Sequence, residues 1–339
     1  MPQTQYNDIY MRDALSDTGQ IPSGVRTAYL SPDIIPWKNQ TVSNPNSFFT
    51  ENYGQNVGKN IISNEINYIY ARGKNLHLSQ ESGKIYLYYS RSSFLSQPSE
   101  WRDNMISSAT PGQDFVNVSA REKDDIVVGD SAFQWDAPQP PTGYHYCLIS
   151  RVVTGDHPNQ IPSNFSATYT FLQWVLDNPG IAWRNVYLLQ NDSPPTWQGS
   201  VNFMNLDPAQ HLYAFTVEAR GGFPPETEIS MVCSATGPEP PISYADKSEG
   251  QDPWYVYTES QLPANFSSGM VITVTLPNGQ SWPSGGFINF DYCRIVGGED
   301  HEILQTNAVT PEAYGLPSHI AAKVRGTMIR LGSYSLNVE

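Results

Sequence analysis

Twenty-seven prolines and 25 glycines are spread along all 339 residues, so few stretches can run as an uninterrupted helix. Proline lacks the amide hydrogen that a helix interior needs and glycine adds backbone entropy, whereas both suit the turns between short strands. The segments between them are rich in β-branched and aromatic residues. Asn67–Arg72, Lys84–Tyr89, Ser131–Trp135, His145–Val152 and Asn185–Leu189 read as strands in the first part of the chain. Leu212–Ala219, Ser230–Cys233, Met270–Leu276, Phe287–Tyr292 and Thr327–Leu331 read as strands in the second. Within Val271–Leu276, the residues Ile272, Val274 and Leu276 fall on one face and Thr273 and Thr275 on the other, the pattern of a strand with one side in a core. Pro277-Asn278-Gly279 follows as a turn signal suited to a tight hairpin.

Gln190–Trp197 has no apolar periodicity and concentrates turn formers. It predicts a linker at 191–198 between a domain at 1–190 and a second at 199–339, and two β-sandwiches in tandem are the expected architecture. Two helical pieces are expected. Thr168–Asp177 must stop at Asn178-Pro179-Gly180, and Thr310-Pro311-Glu312 opens a short turn of helix; both read as connectors.

Charge narrows the partners. With 19 Lys and Arg against 33 Asp and Glu the net charge is −14, which repels phosphate backbones, and no basic stripe reverses it locally. Nucleic acid is not an expected partner. No apolar run approaches the ~20 residues that cross a bilayer, so no membrane span is expected. The start of the sequence lacks the basic and apolar regions of a secretion signal. The expected location is extracellular by a route without a cleaved signal, with the cytoplasm as the alternative. Cys147, Cys233 and Cys293 sit far apart among apolar or aromatic neighbours and read as buried thiols in strands, with one disulfide among them as the alternative.

Several phrases of the first part, taken in order, resemble a bacterial immunoglobulin-like module of the cell-adhesion-related kind, associated with secreted hydrolases and surface proteins. They are Asp8–Asp13 with Asp17-Thr18-Gly19, Ser31–Ile35, Asn67–Arg72, Ile85–Arg91, Trp101, Phe133-Gln134-Trp135, Gly143–Arg151 and Asn178–Val186. The resemblance covers roughly residues 8–190. It implies a binding or spacer module without catalytic residues to carry over. Residues 199–339 resemble a second sandwich only loosely; together with the strand pattern, the expected fold is all-β, two tandem immunoglobulin-like β-sandwiches with short helical connectors.

Motifs for chemistry are few. The chain has no GxSxG elbow, no Walker loop and no HExxH pair among its six histidines. His145 lies between tyrosines in a strand and reads as packed; His301, in an acid-rich stretch after two glycines, reads as a solvated turn. Pro283–Gly286 reads as the turn before the Phe287 strand. Thirty-three acids offer too many pairs for the two-carboxylate logic of glycoside hydrolysis to single any out. Asp8, Asp13, Asp17 and Asp33 have oxygen ligands that would suit calcium, but their spacing is not that of an EF-hand, and turn and capping roles compete. No other cofactor is expected.

Aromatic density is the remaining functional feature. Trp254, Tyr255 and Tyr257 in one stretch and Trp282 in another would supply flat faces on which sugar rings stack, core packing being the competing reading of the same residues. The function expected is therefore a non-enzymatic protein that recognises a glycan or a protein on another cell through these rings and the loops at the sandwich ends. A stand-alone component of a bacterial toxin or host-directed effector, and an unrecognised glycan hydrolase, are the alternatives.

Overall fold

The computed structural model describes residues 4–25, 28–94, 96–120, 122–140, 144–186, 188–189, 193–298 and 300–338. It is all-β, built of several antiparallel sheets with a few short helices. The first part contains β1 (Ile34–Pro36), β2 (Ile66–Asn75), β3 (Glu81–Arg91), β4 (Val116–Ala120), β5 (Ile126–Val128), β6 (Phe133–Asp136), β7 (Tyr146–Thr154) and β8 (Ile181–Asn185). One sheet runs β8-β7-β3-β4. In the other, β2 is the spine, with β1 paired along one edge and β5 and β6 along the opposite edge. Between them lies a core that includes Ile69, Ile85, Leu87, Val116, Phe133 and Leu148.

The four-stranded sheet is buried on both faces. Tyr88, Cys147, Ile149 and Trp183 alternate away from that core into a second apolar cluster, where the helix Phe171–Asp177 contributes Phe171, Leu172, Trp174 and Val175. The Thr170 hydroxyl caps this helix by accepting the Gln173 N–H at 3.3 Å, and it ends before Asn178-Pro179-Gly180 as its sequence requires. It is a packing layer rather than a connector, because an unbroken apolar face of four side chains has to be covered. The helix Pro311–Tyr314 forms as read, with Thr310 as its cap and Pro311 in its first turn.

The second part contains β9 (Thr196–Met204), β10 (His211–Arg220), β11 (Glu228–Val232), β12 (Ser243–Lys247), β13 (Trp254–Leu262), β14 (Ser267–Thr275), β15 (Phe287–Val296) and β16 (Thr327–Val338). One sheet is β9-β14-β11-β12. The other is β16-β15-β10-β13, with Leu188–Leu189 added in parallel beside β16. Their facing sides close on one aromatic-rich core. Ile272, Val274 and Leu276 lie in that core as the alternation requires. Pro277-Asn278-Gly279 does turn, with Gly279 at φ +79° and the Gln280 N–H on the Pro277 carbonyl at 3.1 Å. It is not a hairpin, however, since β14 and β15 belong to different sheets and the chain crosses the sandwich end there.

The two parts meet closely. Phe94 from the first inserts into the core of the second, and its N–H donates to the Asn202 carbonyl at 2.9 Å. Gly332 is obligatory at this approach, because a Cβ there would stand 1.6 Å from the Phe94 carbonyl oxygen. The Tyr29 hydroxyl bonds Asn289 Oδ1, and Asn185 Nδ2 donates to Ser335 Oγ at 3.2 Å. Of the segment expected to link two domains, Thr196 and Trp197 open β9, and residues 190–192 lie outside the described residues, as do Tyr187, Gly143 and Glu299.

Candidate functional site

The four aromatic residues singled out in the sequence do not form a binding face. Trp254 is 1% and Trp282 2% exposed, both within the second core, and the Trp282 indole N–H donates to the Pro194 carbonyl at 2.9 Å. Alternation along β13 explains it. Trp254 and Val256 point into the sandwich, while Tyr255 and Tyr257 point to the opposite face, against a cluster that includes Leu316 and Ile320. The Tyr255 hydroxyl donates to Glu218 Oε1 at 3.1 Å and that of Tyr257 to Glu259 Oε2 at 2.5 Å. Neither indole face is open to a ligand.

A different set of residues surrounds a cleft. The inward side of β3 runs Ile85, Leu87, Tyr89, Arg91, so an apolar alternation turns into a phenol and then a guanidinium where the strand leaves the core. Tyr146 stands directly across from Arg91 in the register of β3 and β7. Its ring meets Tyr89 at 5.6 Å and Trp135 of β6 at 5.3 Å, both edge-on, and these three rings close the end of the core. Over them lies a cleft of about 630 Å³ lined by Tyr89, Arg91, Glu100, Asn104, Gln139 and Tyr146, with Asn202 from β9 of the second part.

The polar groups of this cleft are held by local structure and are incompletely used. Asn104 Nδ2 donates to the carbonyls of Glu100 at 2.9 Å and Tyr89 at 3.3 Å, leaving its amide oxygen without a partner among the described residues. The Tyr144 hydroxyl donates to Asn202 Oδ1 at 3.4 Å. Glu100 closes a capping box at the helix Pro98–Trp101, its Oε2 accepting the Gln97 N–H at 3.0 Å. The Tyr89 and Tyr146 hydroxyls, the Gln139 amide and the Arg91 guanidinium have no protein partner among the described residues. Burial pushes the Tyr146 phenol above its ordinary pKa, and the nearby Arg91 charge pulls it partly back. A half-buried ring flanked by amides, hydroxyls and one cation can stack on a sugar and fix its hydroxyls. Among the described residues the lining carries one carboxylate, Glu100.

Three other clusters carry chemistry-bearing side chains. Cys147 donates its thiol to Asn185 Oδ1 at 3.0 Å and lies 3.7 Å from His145 Nε2, a cysteine–histidine–asparagine set. Burial pushes the thiol up to about 12 and the imidazole down to about 3, the reverse of the thiolate–imidazolium pair that a cysteine nucleophile uses. His145 packs instead, its ring 4.6 Å from Tyr334. All three cysteines are buried, and none is in a disulfide among the described residues. His77 places Nδ1 4.0 Å from Glu81 and Nε2 3.9 Å from Asp156, and the three side chains have ligand atoms within 4.8 Å of one another.

The four early aspartates are buried, and the carboxylates of Asp8, Asp17 and Asp33 are held by protein partners. Asp33 takes both Arg12 and Arg72, and Asp8 accepts from His157 Nδ1 at 2.8 Å and from the Thr154 hydroxyl. Asp17 accepts the N–H groups of Asp13 and Gly19, each at 2.9 Å. Burial, reinforced by Asp17, raises the Asp13 carboxyl well above its usual range. Asp17 takes the turn role expected of these acids, while Asp8 and Asp33 face basic side chains instead. His301 stands exposed before the helix Glu302–Asn307, and Pro283–Gly286 forms the turn into β15, with the Gly286 N–H on the Pro283 carbonyl at 2.8 Å. Among the described residues no helix is long and apolar enough to cross a membrane.

No protein-family model matches the chain, and no curated protein matches it. Among solved structures, the CupB6 tip adhesin from Pseudomonas aeruginosa aligns with a TM-score of 0.16 and 10% identity, over 81% of this chain and 90% of that one. A likeness of that size carries no argument about fold or function.

Proposed function

We propose that this chain is a binding protein that takes a saccharide displayed on another cell into the cleft at the open end of its first sandwich. The observation that carries the reading is the half-buried Tyr89 ring beside hydroxyl, amide and guanidinium groups that no protein atom uses among the described residues. The ring and these groups line one concave surface, where the ring can stack on a sugar and the polar groups can meet its hydroxyls. The resemblance of residues 8–190 to the bacterial cell-adhesion-related module supports the same reading. With it we take the chain as two immunoglobulin-like sandwiches dividing near residue 190, the cleft drawing Asn202 from the second.

Binding of the full chain to an immobilised panel of neutral and acidic oligosaccharides tests this. Tyr89→Ala removes a stacking face and should weaken binding roughly tenfold, with Asn202→Ala acting in the same direction. A chain that binds no saccharide, or whose Tyr89→Ala variant binds as the parent does, overturns the proposal.

A further inference from the structure

Resting on that reading of the cleft, we propose that the saccharide is acidic and that Arg91 holds its carboxylate. Acids outnumber basic residues by 33 to 19, so a guanidinium in this chain has no shortage of carboxylates to meet. Most do meet one. Arg12 and Arg72 share Asp33, Arg220 pairs with Glu218, Arg294 with Asp207 and Asp300, and Arg325 with Glu259. Arg151, Arg184 and Arg330 are held by carbonyl or side-chain oxygens. Among the described arginines that leaves Arg91 and Arg102, and Arg91 lines the cleft.

Glu100, the one acid of the lining, lies beyond ion-pair distance of Arg91 and is engaged by the Gln97 N–H. The cleft therefore presents an unpaired guanidinium beside the Tyr89 and Tyr146 rings, with the Glu100 carboxylate elsewhere on the same lining. A planar guanidinium offers two parallel N–H donors that fit the two oxygens of a carboxylate, so a uronate or sialate ring lying on Tyr89 can direct its acid group to Arg91. The net charge of −14 repels any anion at a distance, so the preference has to come from this short-range contact.

The test uses the full chain and uronate- and sialate-containing oligosaccharides, each matched with its carboxyl methyl ester, with sulfated oligosaccharides as a separate arm. The expected result is an acid that binds at least roughly tenfold tighter than its ester, the effect of one charge-assisted hydrogen-bond pair. Arg91→Gln should abolish that difference and leave the unfolding midpoint in place, since the side chain is exposed and bonds nothing among the described residues. Esters that bind as well as acids, a preference that survives in Arg91→Gln, or binding of sulfated but not carboxylated sugars each overturns the inference and leaves the cleft a saccharide site. If neutral, esterified and acidic sugars all fail to bind, the reading of the cleft falls with it.

Discussion

The two parts of the molecule differ in how aromatic side chains close the core between their sheets. In the second, Trp197, Phe215, Trp254, Trp282, Tyr292 and Tyr334 are all sealed in one core, with Tyr213 and Tyr292 stacked at 5.1 Å inside it. In the first, Tyr89, Trp135 and Tyr146 stand at the end of the core and Tyr89 stays half-buried over the cleft. A dense run of aromatic residues thus marks where a sandwich is filled. The place where an inward-facing alternation becomes polar marks where it opens.

The largest effect that would break this comparison is on stability. Trp254→Ala should cost about 3–5 kcal/mol, the range for emptying a buried aromatic site, in a denaturant titration, while the folded fraction keeps its saccharide affinity. A variant that is as stable as the parent but no longer binds would return the site to the second part.

The first part should also be the one whose stability responds to acid, through His145. Burial lowers its folded pKa to about 3, below the ~6.5 of an unfolded imidazole. As pH falls the unfolded chain takes up the proton first, so stability is lost from about pH 6.5 downward until the folded value is reached, amounting to about 3 kcal/mol by pH 4. Urea unfolding measured from pH 7 to 4 should show this slope, and His145→Gln should flatten it. An unchanged slope in that variant would place the acid sensitivity elsewhere.

At the cleft the balance reverses, with binding affected more than stability. Tyr89→Ala should lower unfolding free energy by less than about 1 kcal/mol, because the ring is only partly packed, while saccharide binding falls roughly tenfold.

The smallest effect concerns Asp13, whose raised carboxyl pKa acts in the opposite sense to His145. The unfolded carboxyl ionises first as pH rises past ~3.8, so the stabilisation is present in acid and is lost at higher pH. Asp13→Asn should therefore raise the unfolding midpoint at pH 7, by about 1 kcal/mol in free energy, and the gain should shrink toward pH 4. A lower midpoint at pH 7 would mean that the ionised carboxylate is being used.

Much of the architecture was legible because it is local. Thr273 and Thr275 against Ile272, Val274 and Leu276 gave both the strand and its buried side, and Thr170 with Asn178-Pro179-Gly180 bounded a helix. The packing layer made by that helix was not, since nothing local distinguishes an apolar helix that connects from one that covers a sheet. The site was hidden for a related reason. Tyr89 and Arg91 belong to β3, Tyr146 to β7 and Asn202 to β9, so they are assembled by strand pairing and by the insertion of Phe94 rather than by proximity in sequence. The one local trace was the progression Ile85, Leu87, Tyr89, Arg91 at alternate positions. Trp254 and Trp282 drew attention because a large ring reads the same in a core and on a surface, and only the facing sheet decides between them.

The most direct measurement is a crystal structure of the protein with the tightest-binding oligosaccharide of the panel. The account predicts a sugar ring lying on Tyr89, within hydrogen-bond reach of Asn202 and with its acid group on Arg91. A sugar seated on β13 or on the turn around Trp282, with the cleft occupied by water, would contradict it.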